Sequence, residues 1–286
     1  MAAHLGPNRY GKDGIRLVLV SRPEEDEGPH TLRDVTVDVR LEGAFEAVHT
    51  EGDNSSVLPT DTMRSTVYAL AQHHLTGSIE AFGVALTERF LSASPAATAA
   101  EVTLREHSWG RAQVGGAPHP HAFVGGGAEC ATAVVTRTST SGPAVRSGIS
   151  GLTLLRTRGS AFSGFLRDEF TVLVETEDRI MATEASADWT YGEHNQPSYD
   201  DVRAAARAAL IDAFSTHSSA SVQHTLYAMG GAVIQACPDV DAVRLRMPNK
   251  HHIPVDLAAI GLTNDRAVFV ATDRPFGVIE GEVRRD

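Results

Sequence analysis

The sequence predicts an α+β protein made of two related halves, each an antiparallel sheet covered by helices on one face. Three observations predict it: strands with period-two alternation, three amphipathic helices, and the same order of hairpin, helix and strands in each half. The clearest strand is "RDVTVDVRLEG", where Val35, Val37, Val39 and Leu41 alternate with Asp34, Thr36, Asp38 and Arg40. A shorter apolar run, "IRLVLVSR" (15–22), precedes it, and "PEEDEGPH" between them has turn composition, so the chain opens on a hairpin.

The helices follow from spacing. Ile79, Phe82, Leu86 and Phe90 form one stripe behind Ser78, a side chain suited to an N-cap. Val202, Ala206, Leu210 and Phe214 form the second, with Asp200 and Asp201 in the first turn, where the helix dipole favours acids. Val222, Leu226, Met229, Val233 and Cys237 form the third, interrupted by Gly230 and Gly231, whose lack of a side chain suits close backbone packing. Strand patterns follow at 100–109 and 241–249, the second ending where Pro248 removes a ladder donor. Glycine-rich 114–130 reads as a loop and 141–151 as a linker, which divides the halves as 1–142 and 143–286. The stretches 59–71 and 175–187 are expected to correspond, each a strand end carrying Thr and an acid. Open sheet edges need covering, so an oligomer is expected.

Composition excludes several classes. No apolar run approaches the ~20 residues of a membrane helix, and a net charge of −11 disfavours non-specific nucleic-acid binding, which needs basic surface. Two cysteines without a CxxC pattern supply neither a disulfide framework nor a thiolate zinc site. Thirteen histidines leave an imidazole metal site open. "MAAHLGPNRYGKDG" lacks the pattern of a secretory leader, and "GEVRRD" is not a peroxisomal signal, so a cytoplasmic location is expected.

Five stretches hold the side chains that could carry chemistry. They are Lys12 in "YGKDGIRL", Thr60 and Asp61 in "VLPTDTMRSTVYAL", Phe162 and Arg179 in "GSAFSGFLRDEFTVLVETEDR", Val222 and Gln223 in "SASVQHT", and Asn249 and His251 in "MPNKHH". Each has a plainer reading taken alone: a solvated lysine, a turn or cap, a core aromatic, a surface ion pair worth under ~1 kcal/mol, a structural imidazole. Lys250 and His252 read as a solvated neighbour and a structural ring.

Taken together and in order, these stretches resemble the urate oxidase family across essentially the whole chain, most specifically in "GSAFSGFLRDEFT" and "PNKHH". The resemblance implies tandem tunnelling (T-)fold halves, with subunits pairing into barrels that stack as a homotetramer around a central tunnel. It implies oxidation of urate by O2 and water to 5-hydroxyisourate and hydrogen peroxide, with no metal or organic cofactor. By the same carry-over, Phe162 would stack on the purine, Arg179 and Gln223 would clamp its polar edge, and the Val222 backbone would add a hydrogen bond. Thr60 and Asp61 would reach in from a neighbouring subunit. Lys12, Thr60 and His251 would relay protons, and Asn249 with Thr60 would hold O2 or water above the ring. The set suits its ligand: a guanidinium fork can meet a planar anion with two bonds. An aromatic face adds stacking of ~0.5–1.5 kcal/mol, and a threonine hydroxyl can accept from one group while donating to the next. A bacterial origin fits the absent peroxisomal tripeptide.

Three other readings stay open at this stage: a pterin-processing enzyme of the same fold with a His/Cys zinc site, a purine-binding protein without turnover, and a structural oligomer. The imidazoles of "HPHAF", "HHLTG" and "HSW" match no zinc spacing.

Overall fold

The computed structural model describes residues 3–23, 28–192, 197–272 and 274–286. The chain splits into two compact units, Met1–Gly148 and Ile149–Asp286.

In the first unit β1 (Arg9–Ser21) and β2 (Thr31–Gly43) form the opening hairpin, and most of the acidic stretch between them, 24–27, lies outside the described residues. The short α1 (Glu46–Thr50), then α2 (Thr60–His74) and α3 (Ile79–Ala93), lead into β3 (Ala97–Val114) and β4 (Ala117–Thr138). The strands pair antiparallel in the order β1-β2-β3-β4. Alternation places Val35, Val37, Val39 and Leu41 on one face, all fully buried, against α2 and α3. Each such side chain contributes roughly 1.5–3 kcal/mol of transfer free energy. Ser78 caps α3 by accepting the Ala81 N–H at 3.2 Å.

The second unit repeats the order. The unit boundary falls within β5 (Ala144–Arg156), which is followed by β6 (Met181–Tyr191), α4 (Tyr199–Thr216), α5 (Val222–Ala236) and β7 (Val240–Asn249). A two-stranded ribbon, β8 (His252–Pro254) with β9 (Phe269–Ala271), precedes β10 (Gly277–Arg284). The order is β5-β6-β7-β10, with α5 packed on β7 and β10. The core gathers Trp189, Phe214, Met229, Leu245 and Met247. Gly230 allows the close approach of α5: a Cβ there would come within 2.5 Å of Val283 Cγ2. Gly231 faces open space and plays no such part. No described helix is long and apolar enough to cross a membrane.

Four local expectations are corrected. The glycine-rich stretch 114–130 lies mostly in β4, because pairing with β3 over a long ladder outweighs the low strand propensity of Gly and Pro. The expected linker 141–151 is largely β5. The stretch 59–71 is not a strand end. It opens α2, whose buried stripe Met63, Val67, Ala71 has helical spacing that the β-branched "STVY" masks, so the expected match to 175–187 fails. Finally, β7 runs through Pro248, which sits opposite Val278 of β10, and ends at Asn249.

Candidate active site

In the first unit, Lys12 sits within β1 rather than before it, opposite Val39. The β1–β2 register shifts between Lys12 and Ile15, a bulge in which Gly14 takes φ 66° and donates its N–H to Asp38 Oδ1 at 2.7 Å. Bulges re-aim side chains, and this one follows directly on Lys12. Two residues earlier, the Tyr10 hydroxyl donates to the Leu58 carbonyl (3.2 Å) and accepts the Leu58 N–H (3.0 Å). Burial pushes the Tyr10 phenol up, so it stays a neutral donor. Tyr10 is two residues before Lys12 and Leu58 two before Thr60, so the clasp ties the strand that carries Lys12 to the segment that leads into α2.

Thr60 and Asp61 are the first two residues of α2, which has no side-chain cap behind Pro59. Their N–H groups therefore have no intrahelical partner and present the positive end of the helix dipole. The Asp61 carboxylate is taken by Arg64 at 2.6 Å.

In the second unit, Phe162 and Arg179 are held by a short β-bridge. Phe162 N–H donates to Thr176 O (2.7 Å) and Thr176 N–H returns to Phe162 O (3.0 Å), while Arg179 N–H donates to Ser160 O (2.7 Å). The Arg179 guanidinium carbon lies 5.2 Å from the centroid of the Phe162 ring. Arg179 is half-buried, its Nε is sealed from solvent without a hydrogen-bond partner, and it makes no ion pair with a described residue. Burial pushes its pKa down, the mark of a cation stripped of water and left without a carboxylate.

The same bridge is stitched to α5. Ala161 N–H donates to Ser219 O (2.8 Å) and Ser219 N–H to Gly159 O (3.1 Å). The Thr225 hydroxyl donates to Ser219 Oγ and Ser219 Oγ to Ser221 O, both at 2.8 Å. Ser221 caps α5 by accepting the His224 N–H at 3.1 Å, so the amides of Val222 and Gln223 stay free of the cap. Val222 is buried and the Gln223 side chain is exposed. Both predicted pairs, Thr60–Asp61 and Val222–Gln223, are thus the opening residues of a helix, a place suited to an anion.

Because β6 starts just after Arg179 and pairs with the end of β7, Asn249 and His251 lie at the same end of the ladder. Thr183 faces Asn249, and Lys250 N–H donates to Ala182 O at 2.8 Å. His251 O accepts the Thr272 N–H at 2.9 Å and so ties this corner to the ribbon. Lys250 is not merely solvated, since it pairs with Glu184 at 2.7 Å. His252 Nδ1 lies 3.1 Å from Lys250 O, a bond within its own turn. Among the described residues, no group of three or more His, Cys, Asp and Glu side chains is arranged to hold a metal ion.

With this geometry in view, comparison with known proteins decides the family. The family model described as "Uricase" matches residues 8–136 and 145–280. The chain belongs to the uricase family. Uricase of Arthrobacter globiformis is 41% identical over 282 residues, covering 99% of this chain and 90% of that protein. Uricase of Dictyostelium discoideum is 36% identical, covering 99% and 98%. The crystal structure of the A. globiformis uricase superposes with a TM-score of 0.92 at 40% identity, over 100% of this chain and 96% of that one. A Bacillus fastidious uricase, at 24% identity and TM-score 0.84, shares the fold. The antiparallel α+β architecture is thus the T-fold of uricases, and membership makes the chain an oxidoreductase of the urate oxidase type.

Sequence reasoning missed the Tyr10–Leu58 clasp and the Ser219–Thr225–Ser221 chain. The clasp joins residues 48 apart in the chain, which no spacing records, and the hydroxyl chain, though local, depends on the turn that precedes α5 rather than on any period.

Proposed function

We propose that the chain oxidises urate with O2 and water to 5-hydroxyisourate and hydrogen peroxide, using no metal or organic cofactor. The observation that carries this reading is Arg179: a half-buried guanidinium without a carboxylate partner among the described residues, stacked by Phe162 beside the α5 N-terminus. A planar purine anion fits that gap. Arg179 grips one side of its polar edge, Gln223 and the Val222 amide grip the other, and Phe162 supplies the stacking face.

The second task is to remove a proton so that an electron-rich dianion can reduce dioxygen. Lys12, Thr60 and His251 form the relay, and Thr60 with Asn249 holds O2 or water over the ring. Lysine serves as a base near neutrality only where burial or a nearby cation favours its neutral form. In this reading Thr60 and Asp61 enter from a neighbouring subunit of a homotetramer built from barrels. Supporting an assembled state, the segment between Phe162 and Arg179 exposes Leu166, Phe170, Val172 and Val174, an apolar stretch that a second subunit would cover. The two T-fold halves are assigned to 1–142 and 143–286, and the enzyme to the cytoplasm.

The test is the loss of urate ultraviolet absorbance in air-saturated buffer containing EDTA. Consumption under those conditions is expected; urate that binds without being consumed, or consumption that EDTA stops, would overturn the reading.

A further inference from the structure

The core-facing side of β6 is apolar at Met181, Ala185, Ala187 and Trp189, and broken only by Thr183. The core-facing side of β7 is apolar at Val243, Leu245 and Met247, and broken at its end by Asn249. These two interruptions are register partners across the ladder. Thr183 is 1% exposed, and its Oγ1 is sealed from solvent without a hydrogen-bond partner. A valine would fill the same volume without stranding a hydroxyl, so the hydroxyl has no packing reason to be there.

Directly opposed residues of an antiparallel pair have Cβ atoms ~4.5–5.5 Å apart, within reach of a hydrogen bond between their side chains. The Asn249 carboxamide makes no hydrogen bond to a described residue, so it has no fixed orientation of its own. The pair also lies where the site is. Since β7 returns antiparallel after α5, its end comes beside Val222 and Gln223, and the start of β6 follows Arg179.

We infer that Thr183 is a positioning residue for the oxidation proposed above: its hydroxyl orients the Asn249 carboxamide over the bound purine, fixing which end faces dioxygen. This inference rests on that proposed reaction. Thr183 touches neither substrate nor oxygen. The two side chains are register partners but are not bonded to each other in the structure. A turn of the Asn249 carboxamide in the proposed complex brings its oxygen to the Thr183 Oγ1–H, which donates to it and leaves the NH2 group pointing to the oxygen site. A hydrogen bond of this kind is worth a factor of roughly 2–10, the size of the expected effect.

The experiment compares Thr183→Val, Thr183→Ser, Asn249→Ala and the double variant Thr183→Val/Asn249→Ala, in steady-state kinetics over urate and O2. T183V should lower kcat about fivefold at an unchanged urate KM, because the clamp is untouched. T183S, which restores the hydroxyl, should recover most of it. In the Asn249→Ala background T183V should change nothing further, since the group it orients is gone. A merely structural Thr183 would instead give T183V and T183S alike, or losses that multiply with N249A, and either result overturns the inference. If wild type consumes urate and T183V matches it, this inference fails alone; if wild type does not consume urate, the reaction itself was wrongly assigned. A melting temperature of T183V no lower than that of wild type guards against a folding defect.

Discussion

On the proposed function, replacing Arg179 by alanine should separate substrate binding from chemistry, and the surroundings of the guanidinium set the size of the effect expected. The guanidinium makes no ion pair with a described residue, so its removal leaves no described carboxylate unpaired, and the large penalty of breaking an internal ion pair does not arise among them. What folding loses is the stack on Phe162, about 0.5–1 kcal/mol, partly offset because a desolvated charge disappears. Binding loses charge-assisted hydrogen bonds to the substrate anion, about 1.5–3 kcal/mol, which is on the order of a 10- to 150-fold rise in urate KM. Arg179→Lys keeps the charge and loses the fork, so it should fall between the two. Kinetics over a wide urate range, with a thermal melt of each variant, reads both quantities. An unaltered KM in Arg179→Ala, or a melt lowered by more than ~10 °C, would refute the reasoning, the second because a shift of that size needs a protein partner the structure does not show.

Other perturbations probe separate parts of the account. Lys12→Met should lower kcat by two orders of magnitude or about that while leaving urate KM within a few-fold; equal losses in both would remove Lys12 from the relay. Co-expressing Thr60→Ala with Arg179→Ala chains should restore activity that neither has alone, since mixed assemblies contain one site with both residues intact; no recovery in confirmed mixed oligomers would refute a site shared between subunits. Burial, His224 and Arg156 together push the His217 imidazole pKa down. The unfolded chain then binds the proton more readily, so stability falls as pH drops below the unfolded value of about 6.5. Urea midpoints at pH 7 and pH 5 should differ more for wild type than for His217→Gln, and an identical slope would contradict this. Gly230→Ala should cost about 1–3 kcal/mol of stability by driving a methyl into Val283, and an unchanged melt would show that α5 can shift at no cost.

Much of the fold was legible wherever a single period ran unbroken. Val35 to Leu41 gave a strand, and the stripes of α3, α4 and α5 gave helices, with the Ser78 cap of α3 in place. It failed where tertiary pairing outweighs local composition. The Gly- and Pro-rich residues of β4 are strand because β3 supplies the ladder, and Pro248 is tolerated within β7 near its end. The start of α2 was hidden by β-branched residues whose buried stripe is only Met63, Val67 and Ala71. The candidate site was named entirely by resemblance to a family. The structure adds how Thr60–Asp61 and Val222–Gln223 are presented as helix N-termini, and how the Lys12 bulge, the Tyr10 clasp and the Ser219 hydroxyl chain hold their neighbours. The bulge and the clasp depend on residues far apart in the chain, which no local pattern records, and the hydroxyl chain on a turn that has no period.

The most direct test of the central claim follows urate, dissolved oxygen and hydrogen peroxide together in one closed reaction containing EDTA. The account predicts that one O2 is consumed and one peroxide released for each urate lost. Urate loss without oxygen uptake, or oxygen uptake without peroxide, would contradict it.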